Sequence, residues 1–496
     1  MELERSTEKE SCRLAAGPAA ADFGYGFNTV QDPVWTLSQV LLATGGRFVC
    51  GASEANFRAI STDTRTLQPG DLFVALSGEH FDGREFVKEA VRKGAAGVIV
   101  SSMVEEKLPV PVILVADPLE ALGDLAAYRR ASMPNLQVIA LTGSSGKTTV
   151  KEMCAAILKE EYNVLKTEGN LNNLIGLPLT LLRVDACHDV AVLEMGMNRP
   201  GEIARMTDIA DPDIACIVNI QGAHLAGLHS IDGVARAKGE LFKGGKSWAK
   251  FCVNIDDKRV RALARNCSQE QITFGRSRNA YVRATHVRNL GEEGMLFTLH
   301  VGSEKVRITI RSLGEHNIGN ALAAAAMAHA AGVKAEQIAQ GLKSFTPYDK
   351  RLQMETIGGL KIINDCYNAN PASMLAALET VRAMKKNKKS VAILGDMLEL
   401  GETSESAHRR LGETAACKAF DYLFAYGQFA RKVVEGALDA RMTMKQAKQM
   451  ENKEDIVEAI VKLIALGELG SGDLVLVKGS RGMRMETIIE QFRNRL

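Results

Sequence analysis

Val138-Ile-Ala-Leu-Thr-Gly-Ser-Ser-Gly-Lys-Thr-Thr149 decides how the rest of the chain is read. A short apolar run, Val138 to Leu141, breaks into a glycine-punctuated turn. Lys147, Thr148 and Thr149 then open a segment, Val150 to Leu158, with helical patterning. Strand, glycine loop and helix in that order are the grammar of a phosphate-binding loop. Gly143 and Gly146 let backbone N–H groups, with those of Ser144 and Ser145 between them, close around phosphate oxygens. The helix N-terminus adds the positive end of its dipole, the Lys147 ammonium meets the outer phosphates, and a hydroxyl reaches Mg²⁺. The general pattern puts its first glycine where Leu141 stands, so this loop is the shortened Gly-x-x-Gly-Lys-Thr-Thr. The competing reading is a Gly/Ser turn capping an ordinary helix.

A chain of 496 residues is too long for one core and implies two to four domains. Its 46% hydrophobic and 24% charged residues are those of a soluble globular protein. A formal net charge of +2 gives no reason to expect nucleic acid or an anionic membrane as partner. Nine cysteines are scattered singly with no C-x-x-C pair, which signals neither a zinc site nor a disulfide framework. No apolar run reaches the roughly 18 residues of a membrane span, and no signal peptide is visible. A cytoplasmic protein is expected.

Residues 1–32 read as a weakly ordered extension, polar first and then Ala/Gly-rich. Residues 33–133 form a small α/β domain with helices at Leu37–Ala43 and Phe86–Lys93 and strands at Asp71–Leu76, Ala96–Val100 and Val110–Val115. Two of its loops, Ser61-Thr-Asp-Thr-Arg65 and Ser77-Gly-Glu-His-Phe-Asp-Gly-Arg84, cluster hydroxyls, carboxylate and guanidinium beside a strand. They fit either a polar, phosphorylated ligand or a solvated turn, and the residues alone leave both open.

Residues 134–347 form the nucleotide domain. A polar loop, Thr167-Glu-Gly-Asn-Leu-Asn-Asn-Leu-Ile-Gly176, precedes the strand Val190–Leu193, which ends in Glu194. A carboxylate at the C-terminal end of a strand, in the domain of a phosphate loop, is where a Mg²⁺ ligand belongs. His224 and Lys238 follow; alone, neither carries a functional claim. Residues 281–310 alternate like antiparallel strands, and Gly314-Glu-His-Asn-Ile-Gly-Asn320 leads into an alanine-rich helix from Ala321 to Ala331. Residues 348–496 alternate strand and helix, which implies a parallel doubly wound sheet. Polar signatures sit at its strand ends: Asp365-Cys-Tyr-Asn-Ala-Asn-Pro371, Gly395-Asp396 and Lys478-Gly-Ser-Arg481.

Taken in order, Thr-Asp-Thr-Arg65, Gly-Ser-Ser-Gly-Lys-Thr-Thr149, Glu-Gly-Asn-Leu-Asn-Asn173, Glu-Met-Gly196, Ala-Lys-Gly-Glu-Leu241, Gly-Glu-His-Asn-Ile-Gly-Asn320, Lys-Arg-Leu352 and Asn-Asp-Cys-Tyr-Asn-Ala-Asn-Pro371 resemble the Mur ligase family of cell-wall peptide ligases. The resemblance covers roughly residues 35–496, and the shortened phosphate loop is the form this family uses. It implies an α/β protein of three domains: a small N-terminal UDP-binding domain, a central P-loop ATPase domain with a parallel sheet, and a C-terminal Rossmann-like domain. The site would lie between domains that swing together.

The activity it implies is an ATP-dependent ligase that adds D-alanyl-D-alanine to UDP-N-acetylmuramoyl-tripeptide through an acyl phosphate. That is the last cytoplasmic step towards the peptidoglycan precursor pentapeptide. By resemblance, Gly143, Ser144, Ser145, Gly146, Lys147, Thr148 and Thr149 hold ATP, with Lys147 on its β- and γ-phosphates. Thr148 and Glu194 hold one Mg²⁺, and His224 and Lys238 serve a second, Lys238 as a carbamate formed with CO₂. Asn320 reads the adenine, while Arg351 and Asp365 reach the γ-phosphate and ribose; Lys147, Lys238, His224 and Arg351 form the catalytic set. Ser61, Asp63, Thr64 and Arg65 hold the UDP end. Asn170, Asn172, Asn173, Asn368, Asn370 and Lys478 line the substrate cleft. The enzyme would be a monomer. A sister ligase adding the third amino acid is expected to carry an Asp-Asn-Pro-Arg string in its diaminoacid-adding form, which this chain lacks. A folate polyglutamate ligase would not need the first hundred-odd residues. A nucleotide-switched binding protein has no use for a carbamylated lysine.

Overall fold

The computed structural model describes residues 35–78, 81–103, 108–222, 225–347 and 350–496. They divide into two compact units. One comprises the chain up to Ala140 together with Tyr162–Met195 and Arg205–Pro212; the other comprises Leu141–Glu161, Gly196–Ala204 and Asp213–Leu496.

In the first unit, helix α1 (Leu37–Thr44) starts from a Thr36–Gln39 capping box and stops at Gly45. A five-stranded sheet follows, built from β1 (Arg47–Cys50), β2 (Ile60–Ser61), β3 (Leu72–Val74), β4 (Gly97–Val100) and β5 (Val112–Leu114), in the order β1-β5-β4-β3-β2. Only β1 runs antiparallel to its neighbour. Successive residues point to opposite faces of a strand, and both faces here are covered. Leu72, Val74, Ile99 and Ile113 enter one core with Trp35 and Leu122, whereas Phe73, Val98, Val100 and Val112 enter another with Val87 and Ala90. Helices α2 (Val87–Arg92) and α3 (Pro118–Ala131) supply that cover. The sequence reading had no element at α3, although Asp117 caps it and Pro118 takes its first position. Strand β6 (Gln137–Thr142) leaves this unit between Ala140 and Leu141. Strands β7 (Val164–Lys166) and β8 (Val190–Glu194) pair in parallel.

The second unit holds α4 (Lys147–Leu158) and the parallel run β9 (Ile214–Ile217), β10 (Lys250–Asn254), β11 (Glu270–Gly275) and β12 (Val282–Asn289). Helix α5 (Ile231–Lys243) lies between β9 and β10 in sequence. The antiparallel strands β13 (Met295–Val301) and β14 (Glu304–Ile310) extend the run, in line with the alternation over 281–310. The alanine-rich helix α6 (His316–Ala330) begins five residues before its expected start, so Asn317 and Asn320 lie within it. It packs against α4, as does α7 (Ala335–Ser344).

The C-terminal sheet has the order β15 (Gln353–Ile357), β16 (Leu360–Asp365), β20 (Leu474–Lys478), β17 (Ser390–Gly395), β18 (Tyr422–Tyr426), β19 (Ala447–Met450). All its pairs are parallel except β15 with β16. Ile362, Ile393 and Val475 pack on one face under α9 (Lys453–Ala465) and α10 (Glu486–Arg495), whereas Ile363, Leu394 and Leu476 pack on the other under α8 (Pro371–Lys385). Both faces are thus apolar and helix-covered, as a doubly wound sheet requires.

Candidate active site

The phosphate loop is tied to the chain beyond β9 by a set of short bonds. Ser144 N donates to the Asn219 carbonyl at 3.1 Å, and Ser144 Oγ donates to the Gln221 carbonyl at 2.9 Å. Ser145 N donates to Asn219 Oδ1 at 3.0 Å, and Ser145 Oγ donates to Gln221 Oε1 at 2.9 Å. Sequence reasoning missed Asn219 and Gln221, two polar residues just past the buried strand Ile214–Ile217 that nothing local marks as loop partners. Asp257 extends the same scaffold: it accepts from Ile220 N and caps the helix Lys258–Ala264. The carboxylates of Asp256 and Asp257 are therefore spent on backbone N–H groups.

Gly146 caps α4 in the left-handed region at φ +78°. A Cβ there would stand 2.3 Å from Asn320 Oδ1, so only glycine fits. Asn320 is buried against the loop, and its Nδ2 donates to Asn317 Oδ1 at 2.7 Å. Lys147 Nζ donates to the Gly143 carbonyl at 2.9 Å. Lys238, on α5, is 1% exposed and lies 3.4 Å from Thr142 Oγ1 at the end of β6. His224 lies outside the described residues. Thr149 follows Thr148 in the first turn of α4.

The C-terminal segment meets this loop at two points. Arg351 donates through NH2 to Thr148 Oγ1 at 2.8 Å, and Asn370 Nδ2 donates to the Ser144 carbonyl at 3.3 Å. Asn370 also caps α8 through Ser373 N. Asp365 accepts from Lys478 Nζ at 2.5 Å and from Leu352 N at 3.2 Å. Lys478 donates a second bond to the Asn368 carbonyl at 2.9 Å. Beside them, burial works against the Glu486 carboxylate, but backbone N–H, Lys350 and Arg481 outweigh it and hold its pKa below the ordinary value. The structure brings Arg351, Asp365, Asn368, Asn370 and Lys478 together.

In the first unit, Glu194 is 2% exposed at the end of β8, and Asn172 Nδ2 donates to its Oε1 at 2.8 Å. Asn173 Oδ1 instead accepts from Ile175 N and Gly176 N just ahead of the helix Gly176–Leu181, and the Asn170 carbonyl accepts from Asn172 N. Around β2, Ser61 Oγ donates to the Asp63 carbonyl and Thr64 is buried. Asp63 and Arg65 form an exposed bidentate pair, and the Arg65 guanidinium holds the Asp63 carboxyl below its ordinary range. In the second polar loop, Asp82 accepts from Arg84 and Ser77; Glu79 and His80 lie outside the described residues.

Three family models match the chain: the Mur ligase family catalytic domain over residues 56–130, the Mur ligase middle domain over 141–328, and the Mur ligase glutamate ligase domain over 350–481. The chain is 38% identical to the UDP-N-acetylmuramoyl-tripeptide–D-alanyl-D-alanine ligase of Bacillus subtilis, across 87% of this chain and 92% of the relative. It is 35% identical to the Escherichia coli protein of the same name, across 92% and 97%. Among solved structures, MurF from Acinetobacter baumannii superposes with a TM-score of 0.86 at 35% identity, covering 93% of this chain and 99% of that one. MurF from Thermotoga maritima in complex with ADP superposes with a TM-score of 0.78 at 27% identity, covering 88% and 97%. With three domains matched in order and relatives aligned over nearly their whole length, the chain belongs to the Mur ligase family.

Proposed function

We propose that the chain is an ATP-dependent ligase joining D-alanyl-D-alanine to the terminal carboxylate of UDP-N-acetylmuramoyl-tripeptide. The observation that carries the reading is the convergence of Arg351 and Asn370 on a glycine phosphate loop. A carboxylate is a poor electrophile. In the first step its oxygen attacks the γ-phosphorus of ATP and ADP leaves, giving an acyl phosphate. The dipeptide amine then attacks the carbonyl carbon, loses a proton and expels inorganic phosphate. Bringing an anion to a polyanionic nucleotide needs positive compensation and fixed geometry.

Lys147 and the N–H groups of residues 143–149 bind the phosphates, and Asn320, packed against Gly146, reads the adenine. Arg351 reaches the outer phosphate. The Thr148 hydroxyl and Glu194 carboxylate are hard oxygen donors that suit Mg²⁺, whose charge would offset that of the phosphates. A second ion at His224 and a carbamate on Lys238 complete the set. Lys238 is buried beside the strand that enters the loop, where an oxygen-bearing carbamate serves a cation and an ammonium does not. Ser61, Asp63, Thr64 and Arg65 take the UDP end, and Asn170, Asn172 and Asn173 the peptide side. Asn368, Asn370 and Lys478 shape the cleft from the C-terminal segment. Boundaries near residues 133 and 347, a monomeric state and a cytoplasmic location complete the proposal; no helix among the described residues is long and apolar enough to cross a membrane.

The test is ATP-dependent phosphate release in Mg²⁺ buffer, with both substrates present and then each withheld. Release requiring both, with the pentapeptide as product, is expected. Release indifferent to both, or requiring another amine, overturns the assignment and leaves the nucleotide site standing.

A further inference from the structure

The guanidinium of Arg351 is held from two sides. Its NH2 donates to Thr148 Oγ1 at 2.8 Å, and its Cζ lies 4.0 Å from the centroid of the Tyr367 ring. Its Nε–H is buried and meets no acceptor among the described residues. The backbone around it is fixed as well. Tyr367 N donates to the Lys350 carbonyl at 3.2 Å, and Leu352 N donates to Asp365 Oδ1 at 3.2 Å. Lys350 and Leu352 have φ of +59° and +50°, so a residue in the left-handed region stands on each side of Arg351. Side-chain-bearing residues keep such conformations only where their surroundings over-determine them, and the strain gathers at sites that must present one group in one place.

We propose that Tyr367 is a positioning residue. Its ring face fixes the Arg351 guanidinium over the phosphate loop, aimed at the terminal phosphate of a nucleoside triphosphate. The ring's negative face attracts the cation, and stacking restricts the plane of the guanidinium. A donor fork placed in advance needs little reorganisation when charge spreads over the transferred phosphoryl group. Simple packing is the rival account, and under it an aliphatic side chain of similar bulk would serve equally. The inference rests on the ligase reading for its kinetic arm and on nucleotide binding alone for its other arm.

The experiment compares Tyr367→Phe and Tyr367→Leu with the unaltered chain, by calorimetric titration with ADP and with a β,γ-methylene analogue of ATP, followed by ligation kinetics. Tyr367→Leu is expected to weaken the triphosphate analogue roughly 3- to 30-fold, the range of one cation–π contact, while leaving ADP unchanged. Its kcat falls while its KM for the dipeptide does not move, and Tyr367→Phe keeps both the analogue affinity and kcat near those of the unaltered chain. In an Arg351→Ala background, Tyr367→Leu adds no further loss. Equal weakening of ADP and triphosphate, a Phe variant as impaired as Leu, or an additive loss on Arg351→Ala overturns the proposal. If Tyr367→Leu fails to fold, Tyr367→Met takes its place on the same criteria. An unaltered chain that binds the analogue but does not ligate would sink the ligase reading and leave the binding arm intact.

Discussion

Lys478 and Asp365 form a 2.5 Å ion pair in which the lysine side chain is 2% exposed. Both partners sit at the C-terminal ends of neighbouring parallel strands, and Lys478 spends a second proton on the Asn368 carbonyl. The pair is an internal tie that holds the loop carrying Tyr367 and Asn370.

Removing one member of such a tie leaves the other buried and uncompensated. Lys478→Met is expected to cost about 3–5 kcal/mol, read from urea unfolding. Lys478→Met combined with Asp365→Leu should recover much of that loss. A single variant of unchanged stability would show that the lysine is available for ligand contact instead.

Gly146→Ala places a methyl group against Asn320 Oδ1 and forces alanine into the left-handed region. A loss of about 1–3 kcal/mol is expected from the strain alone. ADP binding, followed by calorimetry, should vanish in protein that remains folded. Asn320→Ala should relieve the clash and leave the backbone strain.

Asn172 bonds a carboxylate that we assign to Mg²⁺. Asn172→Leu should lower activity roughly 10- to 100-fold, as loss of a partner that orients a metal ligand does. Raising Mg²⁺ should restore part of it, and the melting temperature should stay within a few degrees. A Mg²⁺ titration with its midpoint unmoved would contradict the assignment.

Asp63 and Arg65 satisfy each other on an exposed turn. Exposed pairs contribute little to stability, so Arg65→Ala should leave it nearly unchanged. If the pair meets the UDP moiety, KM for the nucleotide-sugar substrate rises while KM for ATP stays constant. If neither constant moves, the turn is only a turn.

His408 carries a pH dependence of its own. Its Nε2 accepts from Met397 N at 2.9 Å, and its Nδ1 lies 2.7 Å from the Ser404 carbonyl, which it meets as donor in the neutral ring. Burial pushes its pKa below 6.5, against the pull of the Ser404 carbonyl and Asp396. The folded pKa lies below the unfolded one, so its contribution is complete above about pH 6.5 and is lost as pH falls through the folded value. Urea midpoints should decline from pH 7.5 to 5.5, and His408→Gln should flatten that part of the curve.

The phosphate loop was legible because its constraint is local: glycine, lysine and hydroxyl must follow one another within a few residues. The doubly wound C-terminal sheet was legible from its apolar runs. Asn219 and Gln221 were not, because their partners lie more than 70 residues away and a polar strand end looks the same whether it holds a loop or meets water. Tyr367 stood inside a quoted motif, yet nothing in the sequence says that its ring lies beneath Arg351. The early start of α6 was hidden by glycine and asparagine at its entrance, residues of poor helix propensity that packing overrides.

Helix α6 is buried along most of its length, and seven of its ten residues from Ala321 to Ala330 are alanine. Alanine has almost nothing to remove, so truncation leaves scarcely any cavity, while each added methylene meets a close-packed wall. Its tolerance to mutation is therefore lopsided, the reverse of the pattern at Ile362 or Leu476. In a deep mutational scan, enlargement at the alanines of residues 321–330 should be punished, whereas Ala→Gly there should cost only the roughly 1 kcal/mol of lost helix propensity. Since the same helix carries Asn320 against Gly146, variants there should lose nucleotide affinity in step with stability.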